Sequence, residues 1–156
     1  NKDSRIFPDA NSTLRVTYGK VKGYAPKDAT LYTSTTYLDG IMEKYIPGDY
    51  EFNVPSKLID LYKTKNYGPY AENGKMPVCF IATNHTTGGN SGSPAIDAKG
   101  NLIGLNFDRV WEGTMSDIYY DPNICRNIMV DARYILFIID KYADAKWLIN
   151  EMKVVK

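Results

Sequence analysis

Cysteine and histidine are scarce in this sequence, and neither sign of charge is in excess. Among 156 residues there are 2 cysteines and 1 histidine. A structural metal site takes about four ligands, usually Cys or His at close spacing. With no C-x-x-C and a lone His85, no metal is expected, and nothing in the pattern calls for a cofactor. Cys79 and Cys125 lie far apart in sequence, and whether they pair in an oxidising compartment is left open. Lys and Arg number 19 against 18 Asp and Glu. A net charge of +1 is too small an excess to release counterions from a nucleic acid or to grip an anionic membrane, so neither is an expected partner. The longest apolar stretch, near residues 134–139, is far shorter than the roughly 20 residues of a bilayer crossing, so no membrane span is expected. No repeat, low-complexity tract or linker divides the chain, which reads as one domain. Asn1 opens it without an initiator Met or a charged-then-apolar leader, the pattern of a processed or excised chain.

What is present reads mainly as strands. Leu14, Val16 and Tyr18 alternate with Arg15 and Thr17, the period of a half-buried strand, and Gly19 marks a phase slip suited to a bulge. Residues 36–45 read as a helix weakened by Gly40. Pro55-Ser56 opens a second helix carrying Leu58, Ile59, Leu61 and Tyr62, closed by Asn66 and Gly68-Pro69. Residues 78–82 form a buried strand. Residues 94–97 and 102–107, joined through Gly100, form a hairpin. Residues 124–130 are a further strand, after which Asp131 caps a long amphipathic helix over about 131–152. The 13 tyrosines are spread without interleaved basic clusters, which suits packing better than base stacking. Asn11-Ser12-Thr13 and Asn84-His85-Thr86 match the short glycosylation pattern and are read as accidental.

Between the buried strand and the hairpin lies a polar, glycine-rich loop, residues 83–93. A serine hydroxyl is a poor nucleophile at neutral pH and needs a base for its proton and donors where the carbonyl oxygen becomes negative. Gly88 and Gly89 allow the main chain to turn sharply ahead of Ser91. The N–H groups of Gly89 and Ser91 are candidate donors to an oxyanion. A turn rich in Gly and Ser is also a common connector, so the letters alone leave both readings open. A base must come within roughly 2.6–3.2 Å of the hydroxyl. His85, on the same loop, is read as a solvated residue rather than that base.

Gly89-Asn90-Ser91-Gly92-Ser93-Pro94 is similar to the G-D-S-G-G-P signature of chymotrypsin-like peptidases, differing at Asn90 and Ser93. With Asn90 in place of the aspartate that pairs with a new N-terminus in trypsin-type zymogens, no such switch is implied. Gly104-Leu105-Asn106-Phe107-Asp108, Trp111-Glu112-Gly113, Ser116-Asp117-Ile118-Tyr119-Tyr120-Asp121-Pro122 and Arg126-Asn127-Ile128-Met129-Val130-Asp131 extend the match. Together they resemble the C-terminal part of bacterial dipeptidyl-peptidases of the 7 and 11 family. The resemblance implies a mainly β fold: half of a chymotrypsin-like (trypsin-like) antiparallel β-barrel pair, with a short helical insertion and a C-terminal α-helix. Residues 1–156 would be the second barrel and terminal helix. The first barrel, with the triad histidine and aspartate, and the inserted helical domain would lie elsewhere in the parent. It also implies a periplasmic or cell-surface enzyme of a Gram-negative bacterium, acting on peptides with a free N-terminus, and leaves room for a homodimeric parent.

In that family an arginine at the place of Arg109 accompanies a preference for Asp or Glu before the cleaved bond, and Asp108 aligns with the aspartate that receives the free α-amino group. A guanidinium suits a carboxylate because it offers a planar fork and stays charged. Apart from the resemblance, Asp108 and Arg109 read as a solvated surface pair. Neighbouring residues of a regular strand point to opposite faces, so a bend or strand end is expected at Asp108-Arg109. Two rival readings are a non-catalytic trypsin-like module that binds acidic peptides and an endopeptidase of the same fold.

Overall fold

The structure is a computed structural model and describes residues 12–155. Asn11 of the first glycosylation pattern lies outside them. Pro77-Val78-Cys79-Phe80-Ile81-Ala82 is β-branched and aromatic without a charge, and it forms a strand, β4 (Pro77–Ala82), with Val78, Phe80 and Ala82 buried on one face. It sits in a five-stranded antiparallel sheet with β3 (Thr35–Tyr37), β5 (Pro94–Ile96), β6 (Leu102–Arg109) and β7 (Asn127–Asp131), in the order β3-β4-β7-β6-β5. A two-stranded ribbon, β1 (Tyr24–Lys27) and β2 (Thr30–Tyr32), stands apart, with Tyr24 edge-on to Tyr32 at 5.3 Å. The expected hairpin is β5–β6, with Ala95 opposite Gly104. The sheet is open: its outer strands β3 and β5 are three residues each and do not pair with one another. The half-barrel expectation is therefore met in its antiparallel pairing, without closure.

One face of the sheet is covered by helices. α1 (Leu38–Glu43) and α2 (Ser56–Lys63) bring Leu38, Leu58 and Leu61 against Met76, Val78 and Phe137, forming the main core. Both helices fall where the apolar spacing puts them. Asp131 caps α3 (Ala132–Phe137) by accepting from the Arg133 N–H at 2.8 Å. The single long terminal helix expected over 131–152 is corrected. After α3 the chain widens into a π-helical turn, Ile138–Tyr142, breaks at Asp144 with φ 54°, and resumes as α4 (Lys146–Ile149). The widened turn carries Asp140 inward, where its carboxylate accepts from the Tyr70 hydroxyl at 3.0 Å. Asp144, at the break, pairs with Lys57 of α2.

Other expectations are also corrected. Residues 14–18 form no strand, and Leu14, Val16 and Tyr18 are 94%, 85% and 92% exposed. Alternation defines two faces without saying which is covered, and here Arg15 and Thr17 take the inner one. Gly19 makes a close approach in place of a bulge: a Cβ there would lie 2.6 Å from the Asn84 nitrogen. Residues 20–22 then run beside β4, with Lys22 N–H donating to Ile81 at 3.2 Å. The strand expected over 124–130 begins at Asn127, because residues 121–125 close a turn in which Cys125 N–H donates to the Asp121 carbonyl at 2.8 Å. Arg126, 3% exposed, places every hydrogen bond on a main-chain carbonyl, those of Lys22, Gly23, Pro122 and Cys125. It thereby staples residues 22–23 to the start of β7. Cys79 and Cys125 are both free thiols.

Gly104 faces the middle of the sheet, where a Cβ would lie 2.5 Å from the Val130 carbonyl oxygen and 2.8 Å from the Phe80 ring. Gly104→Ala is expected to cost about 1–3 kcal/mol, the range of overpacked cores, read as a lowered urea midpoint.

Candidate functional site

The loop between β4 and β5 is shaped by side-chain amides. Asn90 folds back on it: its Oδ1 accepts from Thr87 N–H at 3.1 Å, and its own N–H donates to the Thr87 carbonyl at 3.2 Å. From β6, Asn106 Nδ2 donates to the Asn90 carbonyl at 3.2 Å, and the Asn106 main chain bonds Gly92 N–H at 2.7 Å and the Ser93 carbonyl at 2.9 Å. Asn106 is held in turn by Asn127 of β7, whose Nδ2 donates to its Oδ1 at 2.8 Å. Gly89 and Gly92 have φ of 92° and 81°, a region that favours glycine. They bracket Ser91, which stands exposed between them. The N–H groups of Gly89 and Ser91 donate to no other described residue.

Ser91, Asp108 and Arg109 line one cavity of about 130 Å³, together with Thr87, Gly88 and Asn106. The expected bend is a β-bulge slightly earlier: the register of β6 on β7 slips between Asn106 and Asp108, leaving Phe107 unpaired. β6 then ends at Arg109, the strand end that is the other form of the expectation, with Asp108 and Arg109 paired to Ile128 and Asn127. Asp108 Oδ1 accepts from the Arg109 N–H at 2.8 Å. The Arg109 guanidinium does not float in solvent: Nη1 and Nη2 donate to the two oxygens of Asp117 at 3.0 and 2.7 Å, and Nη1 also donates to Ser116 Oγ at 2.7 Å. The hydrogen bonds to Asp117 raise the pKa of Arg109 and hold the Asp117 carboxyl below the usual carboxylate range, with the Thr87 hydroxyl adding to the latter. The reading of Asp108 and Arg109 as a solvated pair is thus replaced for Arg109 by a fixed partner.

His85 lies on the other side of the loop. It lines a larger cavity of about 440 Å³ with Tyr18, Thr83 and Tyr120, and Ser91 is not among the lining residues. Its Nε2 is 2.9 Å from the Ser116 carbonyl; since a carbonyl only accepts, Nε2 carries the hydrogen. The ring leans on Tyr120 at 4.9 Å, and the Tyr120 hydroxyl donates to the Thr83 carbonyl at 2.6 Å. His85 is a brace between the loop and the helical turn Trp111–Asp117, not the solvated residue expected. Sequence reasoning missed Asn127, Ser116 and Asp117 as parts of the site. All three stood within matched motifs, which was the available signal. Among the described residues no three His, Cys, Asp or Glu side chains are grouped to hold a metal ion, and no helix is long and apolar enough to cross a membrane.

The model of the peptidase S46 family matches residues 1–154. An Asp/Glu-specific dipeptidyl-peptidase of Flavobacterium psychrophilum is 81% identical over 153 residues, covering 98% of this chain and 22% of that protein. A dipeptidyl-peptidase 7 of Phocaeicola vulgatus is 55% identical over 150 residues, 96% of this chain and 21% of the relative. The crystal structure of Porphyromonas endodontalis DPP11 in complex with substrate superposes with a TM-score of 0.90 at 55% identity, over 97% of this chain and 22% of that one. The chain thus spans about a fifth of the length of the relatives it matches.

Asn106→Ala would strand the buried Nδ2 of Asn127 and is expected to cost about 1–3 kcal/mol in urea unfolding. The Arg109–Asp117 pair gives a pH signature. Because the native carboxyl of Asp117 is lowered, its contribution is full above the ordinary Asp range and is lost as pH falls through the lowered value. The stability gap between the unchanged chain and Asp117→Asn should be steady near neutrality and shrink below about pH 4.

Proposed function

The chain belongs to the peptidase S46 family, and on that premise we propose that it carries the nucleophile of a serine exopeptidase that releases N-terminal dipeptides, with Asp or Glu preferred before the cleaved bond. The observation that carries this reading is the meeting of Ser91, Asp108 and Arg109 in one small cavity. Ser91 Oγ adds to the scissile carbonyl carbon while its proton passes to a base supplied by the parent outside this chain. The developing oxyanion takes the unengaged N–H groups of Gly89 and Ser91. The tetrahedral adduct then expels the amine of the remaining peptide, which leaves with that proton, and water releases the dipeptide from the serine ester.

Substrate choice is divided between two neighbours. Arg109 meets the acidic side chain before the cut, where a charged bidentate pair outweighs neutral contacts. Asp108 meets the α-amino group, about 7 Å from the cut for two extended residues, and so restricts cleavage to chain ends. Residues 1–156 supply most of the second barrel, as an open sheet, and the terminal helical segment of a two-barrel catalytic domain. The triad histidine and aspartate come from the first, in a periplasmic or cell-surface enzyme. The family resemblance supports these last assignments. The chain alone is inert, since a triad works as a unit.

The test is kcat/KM of the full-length parent on dipeptidyl substrates with Glu or Leu before the leaving group, each with a free or blocked amino end. Free-ended Glu substrates are expected to be preferred. Ser91→Ala should remove activity by several orders of magnitude, and Arg109→Gly should lower the Glu preference by about ten- to a hundredfold. Equal cutting of blocked peptides would make the protein an endopeptidase. Failure of a fluorophosphonate to label Ser91 would make it a binding module.

A further inference from the structure

An arginine head group carries five N–H donors in one plane and can grip a carboxylate along either of two edges, the end formed by Nη1 and Nη2 or the side formed by Nε and Nη2. At Arg109 the end is occupied from within the chain. Asp117 takes one proton from each terminal nitrogen, at 3.0 and 2.7 Å, and Ser116 Oγ takes the other Nη1 proton at 2.7 Å. Nε and the second Nη2 proton meet no acceptor among the described residues. One bidentate edge is therefore left, on a side chain that lines the cavity holding Ser91.

We propose that Asp117 is a specificity-setting positioning residue: with Ser116 it clamps the end of Arg109 and leaves the side edge as the receptor for the carboxylate of an Asp or Glu substrate side chain. The inference rests on the assignment of Arg109 to the acidic-residue pocket. A free arginine would surrender rotamer freedom each time substrate bound, whereas a clamped one has already surrendered it on folding. The clamp is anchored to the serine loop, because the Ser116 carbonyl accepts from His85 Nε2 at 2.9 Å. Recognition and nucleophile are thereby set in one frame. A lysine offers a point charge with no second edge and could not serve clamp and substrate in this way.

The experiment compares Asp117→Ala, Arg109→Gly and the double variant of the full-length parent on free-ended Glu and Leu dipeptidyl substrates. Asp117→Ala is expected to lower the Glu-to-Leu ratio of kcat/KM about tenfold, mainly through KM for Glu. In the Arg109→Gly background the same change should leave the ratio where it stands, because the clamp then has nothing to hold. Asp117→Glu, which keeps the carboxylate, should recover part of the ratio. If Asp117→Ala folds poorly, Ser116→Ala removes one of the three hydrogen bonds and should lower the ratio by a smaller factor. An equal loss on both substrates, or an unchanged ratio in both the Asp117→Ala and Ser116→Ala variants, would overturn the proposal. The pocket reading fails by a different sign, a Glu preference that survives Arg109→Gly.

Discussion

Asn127 stands in the central strand of the sheet with 1% exposure, and its amide nitrogen has Asn106 Oδ1 as its partner at 2.8 Å. A buried donor left without an acceptor costs about 1–3 kcal/mol, so Asn106 is held where this bond requires it. From that position Asn106 bonds the main chain of Asn90, Gly92 and Ser93. The conformation of the serine loop is thus set from the sheet beneath it together with the loop's own Asn90 and glycines. The bulge at Phe107 follows directly after Asn106, so the strand that fixes the loop also carries the Asp108 and Arg109 that line the cavity beside it.

The strands around the loop were legible because each carries its own signal. β4 is a short apolar run, and the β5–β6 hairpin is announced by two apolar stretches around a glycine turn. α2 could be read from Leu58, Leu61 and the breakers that follow. The signals that failed were those that depend on a distant partner. The periodicity of residues 131–152 ignores one aspartate, yet Asp140 has to reach Tyr70 and the helix widens to bring it there. Alternation at Leu14, Val16 and Tyr18 defined two faces but not which of them the fold would cover. β1, β2 and β3 are three or four residues each and rich in Thr and Tyr, too short for a period to show.

The candidate site divides in the same way. Ser91 with its glycines, Asp108 and Arg109 could be singled out from local motifs and resemblance. The residues that hold them could not. Asp117 is eight positions beyond Arg109 in an irregular helical turn, and only the folded chain makes it a neighbour. His85, the lone imidazole, reads from sequence as a solvated loop residue and is instead a brace whose ring spans two segments.

The frame that holds the serine loop is made of three asparagine side chains and main chain, and amides neither gain nor lose protons in ordinary buffers. Salt and acidity therefore have no direct grip on those amide bonds. They act on the charged groups around them, the Arg15 guanidinium that donates to the Gly88 carbonyl at 3.1 Å and the Arg109–Asp117 pair, so the chain separates an inner frame indifferent to its medium from a charged rim that responds to it.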